Sequence, residues 1–396
     1  MRTNDQWKMV KLRNFVSFQT GKLNSNAAKP DGEYPFFTCA QETFSINTYS
    51  FDTECVLLAG NNANGVYPIK YFSGKFDAYQ RTYIIRPLDD TKLNTRFLYF
   101  VLQPQLELMR SISTGAATKF LTLTILKDIE IGIPPLPIQR KIAAVLSTYD
   151  DLIEANTRRI RILEQMAQTI YHEWFGKVDA QFLPEGWEMK TLDYVLSEIE
   201  SGSRPKGGID PNQRGVPSVG AENIIGLGKY NYASEKYVSS DFYNAMTRGH
   251  IKNKDVLIYK DGASIGRKSM FRDGFPHDEC CINEHVFILR TNEKCTQNFL
   301  YFWLDLPDMT QNIKNLNANA AQPGINQAGV KGLPILLPDE IMLKKLDDVI
   351  NPMMGLLFNL AKKNANLQRT RDLLLPRLVS GEVGLEGIEV EMGEYQ

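Results

Sequence analysis

The longest regular pattern in the chain is a 4,3 alternation of apolar positions that occurs twice. Ile142, Leu146, Tyr149, Ile153, Asn156, Ile160, Leu163, Ala167, Ile170 and Trp174 step alternately by four and three, and only Asn156 is strongly polar. A constant shift of 204 residues gives Leu346, Ile350, Met353, Leu357, Leu360, Asn364, Leu367, Arg371, Leu374 and Leu378, where only Asn364 and Arg371 are polar. Such spacing, flanked by charged runs such as TRRIR and AKKNANLQR, marks a coiled-coil seam rather than the wider stripe of a core helix. The pattern predicts two helices of on the order of 40 residues and 60 Å, one from Pro137 to about Gly176 and one from Pro338 to about Ser380. Antiparallel pairing sets residues opposite one another whose numbers sum to about 520, so that Asn156 meets Asn364. A buried polar pair costs some stability and fixes register. Pro352 removes a backbone hydrogen bond inside the second helix and predicts a kink or a restart there.

Each helix follows a segment of different texture. Short β-branched and aromatic runs (TYIIRP, DVLIY, HVFILR) alternate with Gly, Pro and Asn turns, the pattern of an α+β domain. These segments also repeat. Trp7, Met9 and Leu12 return as Trp187, Met189 and Leu192; ECVLLAG returns as DVLIYKDG, and the Ala116-Ala117 pair as Ala320-Ala321. RFLYFVL at 96–102 returns as NFLYFWL at 298–304, and IEIGIPPLP at 129–137 as LPILLPDEI. The expected organisation is a first globular domain over 1–136, a long helix over 137–180, a second globular domain over 181–337, a second long helix over 338–385 and a tail at 386–396. The fold class is therefore α+β, with two tandem domains separated by helices that pair as an antiparallel coiled coil about a pseudo-twofold axis.

Composition narrows the class. A chain of 396 residues is long enough for two or three cores, and its 43% hydrophobic and 23% charged content describes a folded protein rather than a disordered one. No apolar run reaches membrane-span length and MRTNDQWKMVK lacks the apolar core of a signal peptide, so no membrane association and a cytoplasmic location are expected. Five scattered cysteines make no disulfide framework, as suits a reducing compartment. A net charge of −1 excludes non-specific coating of nucleic acid by bulk positive charge but not local basic patches.

Enzyme motifs are absent. There is no GxxxxGK[ST] loop, GLGKYN at 226–231 lacks the context of a dinucleotide fingerprint, and the Pro134-Pro135 pair has no flanking residues of an amino-methyltransferase. HDECCINEH clusters His277, Cys280, Cys281 and His285, but adjacent cysteines rarely reach one tetrahedral ion. Buried cysteines and a strand histidine facing DNA or solvent are the expectation, with no metal. Among local basic patches, the stretch from Arg248 to Arg272 is the strongest, and its YKDGASIGRKS joins glycines to Lys260, Ser264, Arg267 and Lys268. Glycine lets backbone approach a phosphate. The first copy answers with AGNNANGVYPIKYFSGK, offering Asn61, Asn62, Asn64, Tyr67, Lys70 and Lys75. SGSRPKGG adds Arg204 and Lys206, and Gln80 and Arg81 complete the candidates. Asn and Gln pair bidentately with adenine, Arg and Lys with guanine.

PPLPIQRKIAAVLSTYDDLIEANTRRIRILEQMAQTIYHEWF, at 134–175, closely resembles the central conserved region of specificity subunits of type I DNA restriction-modification enzymes. The family layout of two recognition domains alternating with two long helices covers the whole chain. The second copy, 338–380, is more diverged, keeping the seam, Lys362-Lys363 and the LPRLVSGE ending, and INEHVFILR resembles a recognition-domain strand. The resemblance implies a non-catalytic reader of double-stranded DNA, each domain taking one half of a split target. It implies two adenine-modifying methyltransferase subunits docked on the helices, and a restriction and translocase subunit. S-adenosylmethionine, ATP and magnesium belong to those partners, and no cofactor to this chain. Two rival readings stand beside it: a coiled-coil adaptor that binds proteins only, and an enzyme whose site is not recognisable.

Overall fold

The computed structural model describes residues 7–384 apart from 64, 116–117, 180, 211 and 318–323, together with the side chain of 263. Asn64, the two Ala-Ala pairs and the tail at 386–396 lie outside the described residues. The chain divides into two compact units, one of Met1–Leu152 with Leu367–Gln396 and one of Ile153–Asn366. Each unit thus takes part of both long helices. The reason is packing: each half-helix adds its apolar face to the core of one globular domain.

In the first unit a six-stranded sheet runs in the order Val16–Thr20, Thr82–Pro87, Phe51–Ala59, Ile69–Ala78, Tyr34–Phe37, Phe44–Ile46. All neighbours are antiparallel except Tyr34–Phe37 against Ile69–Ala78. The helix Thr95–Leu102, which contains FLYFVL, is capped by Asn94, whose side chain accepts from the Phe97 amide. It lays Phe97, Leu98 and Val101 on Val56 and Leu58 of the sheet. A separate two-stranded piece pairs Lys8–Lys11 with Glu130–Ile133. That pairing explains why WKMVKL and IEIGIP recur together.

The second unit repeats this plan. Leu196–Ser201, Val286–Thr291, Val256–Tyr259 and Lys268–Met270 form a sheet in the same order as the first four strands of the first unit. Glu188–Thr191 pairs with Pro334–Leu337. The helix Gln297–Asp305 carries FLYFWL, is capped by Thr296 and is buried along its apolar run. The strand that is continuous over Ile69–Ala78 is here broken into Lys268–Met270 and Cys281–Ile282, the latter parallel to Val216–Val219. Arg290, at the end of INEHVFILR, lies half-buried between Asp255, Glu198 and Glu200 and ties three strands together. Burial pushes the Asp255 carboxyl up, and Arg290 only partly offsets it.

The long helices run over Leu136–Phe175 and Glu340–Val379, each ending one residue before the Gly176 or Ser380 that the 4,3 spacing predicts. None of the twenty seam positions is exposed. Beside the globular cores the buried stripe is wider than a coiled-coil seam, taking in Ala143 and Ser147 in the first unit and Tyr171, Phe175, Met354, Phe358 and Ala361 in the second. Ile142, Ala143 and Leu146 share a core with Leu375, Leu378 and Val379, and Asp150 pairs with Arg371 at 2.6 Å. In the second unit Asn156 Nδ2 donates to Asn364 Oδ1 at 2.9 Å, and Asn364 Nδ2 donates to Thr157 Oγ1 at 3.1 Å. Both contacts belong to an antiparallel register. The helix does not restart at Pro352. Pro352 and Asp348, whose carbonyl loses its donor, are both exposed, so water takes the place of the missing amide.

Gln139 of the QRKIA run is fully buried. Its Oε1 accepts from the Asn94 amide at 2.8 Å, and its Nε2 donates to the carbonyls of Lys92 and Pro134. It fastens the start of the first long helix to the start of the FLYFVL helix.

Replacing Asn156 by Leu strands the Asn364 Oδ1 in an apolar seam and is expected to lower stability to chemical denaturation by about 1–3 kcal/mol. Changing both asparagines to Leu should restore the loss, since neither amide is then left without a partner.

Candidate nucleic-acid interface

One backbone junction occurs in both units. The Gly60 amide donates to Arg81 O at 2.8 Å, and Gly60 O accepts from the Leu121 amide at 2.8 Å. In the second unit the Lys260 amide donates to His285 O at 3.0 Å, and Lys260 O accepts from the Ile325 amide at 2.9 Å. Beside it Asn61 faces Phe120 and Asp261 faces Gly324 across short antiparallel bridges. The turn after the first sheet strand lies against the same corner. A Cβ on Gly21 would stand 1.8 Å from Ala78 O, and one on Gly202 1.9 Å from Ile282 O, so only glycine fits at either place.

In the first unit the junction gathers Asn61, Asn62, Gln80 and Arg81, all placed there by the ends of sheet strands. Gln80 Nε2 donates to Asn24 Oδ1 at 3.2 Å. The exposed Arg81 guanidinium lies 5.3 Å from the Phe120 ring centroid. Cys39 Sγ bridges the set, within bonding reach of Asn61 Oδ1 and Arg81 O. Arg110 and Lys119, which the sequence reading did not single out, flank Gly65, whose φ of +68° keeps that corner open to backbone. Lys314 stands 204 residues beyond Arg110 on the equivalent helix of the second unit. A basic residue at the same repeat position in both copies was the available signal.

The second unit assembles Arg204, Asp261, Glu284 and His285 at its junction, with Lys260, Ser264 and Arg267 on the adjoining glycine-bearing loop. Asp261 Oδ2 lies 2.7 Å from His285 Nδ1 and Glu284 Oε1 lies 3.3 Å from Nε2. Arg204 Nη1 is 3.4 Å from the same Glu284 oxygen. Lys206 is exposed on the neighbouring turn, and Lys260 Nζ lies over the Phe287 ring at 5.1 Å. Below the loop a cleft of 540 Å³ is lined by Ser264, Arg267, Lys314, Glu164 and Asp305. GLGKYN closes its edge against the helices: Gly228, with φ +62°, lies against Leu357, and Lys229 pairs with Glu164.

Three candidates, Tyr67, Lys70 and Lys268, are drawn into other contacts, and a fourth, Lys75, is exposed but lies apart from the junction. Tyr67 is 2% exposed and belongs to the first core, because Val66 takes the outward side of the turn. Lys70 Nζ donates to Glu42 O at 2.8 Å and to Thr43 Oγ1; burial pulls its ammonium pKa down, and it staples the 40–43 loop. Lys75 pairs in register with Asp52, far along the strand from the junction, against the Tyr49 ring. Lys268 points inward, its side chain 7% exposed, onto Asp305 at 3.1 Å and Thr310 at 2.9 Å. Burial lowers its pKa, and Asp305 opposes the fall.

The histidines and cysteines of HDECCINEH do not converge. His277 is bound to Glu235 and His285 to Asp261, while Cys280 and Cys281 are buried. Burial raises both thiols, Cys281 to about 11, which makes them inert. Among the described residues no group of three or more His, Cys, Asp or Glu could hold a metal ion.

Two copies of one α+β domain, joined by helices that pair antiparallel, define a duplicated recognition scaffold. The family model described as the type I restriction modification DNA specificity domain matches twice, over residues 4–165 and 184–361. The chain belongs to this family, as a specificity protein and not as a catalytic component. It is 28% identical over 366 residues to the type I restriction enzyme EcoDI specificity subunit of Escherichia coli, covering 84% of this chain and 78% of that protein. With the MjaIX specificity subunit of Methanocaldococcus jannaschii it shares 27% identity over 319 residues, 74% of this chain and 70% of that one. In fold it matches the S subunit of a type I restriction-modification system from M. genitalium with a TM-score of 0.64 at 17% identity, covering 96% and 98% of the two chains.

Arg267→Ala should reduce the salt dependence of duplex binding by a slope of about one phosphate. Lys268→Ala should instead lower stability by about 1–3 kcal/mol and leave the slope unchanged; thermal melts and salt titrations of both variants separate the roles.

Proposed function

We propose that the chain reads a bipartite DNA target, one half-site per domain, and brings adenine methyltransferase and restriction subunits to it. The observation that supports this reading is the repeated junction with unlike side chains. Asn61, Arg81 and Phe120 stand in one unit where Asp261, His285 and Gly324 stand in the other. A constant frame with different hydrogen-bonding groups is what two different base sequences require. Two readers within one chain need not recognise identical halves, as a homodimer must.

In this reading two modification subunits and a restriction and translocase subunit are the protein partners, in the cytoplasm. S-adenosylmethionine, ATP and magnesium sit on them, while this chain positions without binding a cofactor. Ile162, Met166 and Leu356 are exposed on the helices of the second unit and offer apolar surface to such partners. The same residues favour the alternative, a coiled-coil adaptor without DNA readout. An adaptor has no use for the junctions.

The purified chain is expected to bind duplex containing its target with affinity that falls steeply with salt, and alone to neither methylate nor cut DNA. Partner binding with no duplex preference would establish the adaptor instead. Lengthening both long helices by whole turns should change the gap between half-sites and leave the bases read unaltered, as methylation sequencing of the assembled complex would record.

A further inference from the structure

We propose that Arg81 and His285 are equivalent base-reading residues, one per half-site, Arg81 presenting its N–H fork to the acceptor edge of a guanine and His285 its Nε2 to a base edge in the other half-site. This rests on the bipartite reading above and names the residues that give it specificity.

The equivalence is geometric. The two residues are 204 positions apart, the shift that also relates the long helices. Each immediately precedes a central sheet strand, Thr82–Pro87 or Val286–Thr291. Each gives its carbonyl to the junction, to the Gly60 amide in one unit and the Lys260 amide in the other. With the backbone thus occupied, the side chain is the part left to act; Arg81 is exposed, and the His285 side chain, in a residue that is half-buried, is 45% exposed.

Each side chain is also held from across the junction, by different chemistry in the two units. Arg81 lies over Phe120 at 5.3 Å. The second unit has Gly324 where Phe120 would be, and Asp261 fills that space: a Cβ on Gly324 would stand 2.8 Å from Asp261 Oδ1. The other oxygen, Oδ2, holds His285 Nδ1 at 2.7 Å. Losing the aromatic support is therefore matched by gaining a carboxylate one. A solvated loop residue needs no such exchange, since an unsupported side chain loses more rotamer freedom on making a contact.

The two side chains offer different groups. Arg presents only N–H groups, and guanine offers O6 and N7 as paired acceptors in the major groove, which the Arg81 fork matches. His285 Nδ1 is held by Asp261 Oδ2, which leaves Nε2, 3.3 Å from Glu284 Oε1, as the ring nitrogen that turns to a base. Arg204 Nη1, 3.4 Å from Glu284, is placed to keep that carboxylate when Nε2 turns to a base. Asp261 is then a positioning residue, acting through His285.

The test is selection from duplexes randomised in both half-sites, using the full chain assembled with its methyltransferase partners. Arg81→Ala should lower the preference for one G·C pair in one half-site by about tenfold or more, and His285→Ala should lower the preference at one base pair of the other half-site only. Arg81→Lys should keep overall affinity and lose most of that preference, because an ammonium lacks the fork. Asp261→Ala should weaken the same base pair as His285→Ala. The untouched half-site in each variant reports that the protein is folded. Unchanged preferences at every position, or affinity lost equally for all sequences, would overturn the assignment while leaving two half-sites intact. A wild-type complex with no sequence preference would instead overturn the underlying reading of function.

Discussion

Neither long helix can bury its apolar stripe alone, and this constraint organises the molecule. Each stripe runs the length of a 40-residue helix, whereas each globular domain covers only the part beside it. The remainder is buried by the opposite helix, and antiparallel pairing lets both domains contribute a core of the same kind. The polar exceptions in the seam set the register. Asn156 meets Asn364, and Arg371 is answered by Asp150; a shift of one turn would break the amide pair and part Arg371 from Asp150, leaving it only Asp372 of its own helix.

The domains attach through polar groups placed at helix starts. Gln139 bonds the chain entering the FLYFVL helix at Lys92 and Asn94, and Pro134 at the entry to its own helix. In the second unit Asn298 and Thr296 bond Asp347, and Arg272 bonds Asn351. The same attachment is thus made with different residues. Fold is maintained by the equivalence of positions rather than by identity of side chains, and the junctions at Gly60 and Lys260 follow the same rule. There the backbone carries the architecture, which frees the side chains to differ.

Much of this was legible in the sequence. The 4,3 spacing, the shift of 204 and the polar pair at 156 and 364 follow from periodicity, which reflects one-dimensional packing along a helix. The recurrence of FLYF marked equivalent helices, which the structure caps with Asn94 and Thr296. The interface was less legible. Lys268 and Arg267 are adjacent in the sequence, yet one is buried on Asp305 and the other is exposed, because successive residues leave an extended chain on opposite sides. Tyr67 and Lys70 read as loop residues, but a core and a staple claim them.

The sequence by itself determined the duplication, the helix pairing and the family, since each depends on patterns repeated at fixed spacing. The tertiary structure alone decided which polar residues meet. Arg81 and Phe120, or Asp261, His285 and Gly324, come together through strand pairing between segments tens of residues apart. No local pattern encodes such a contact, because the hydrogen bonds that create it are made by the backbone and are indifferent to the side chains they bring into register.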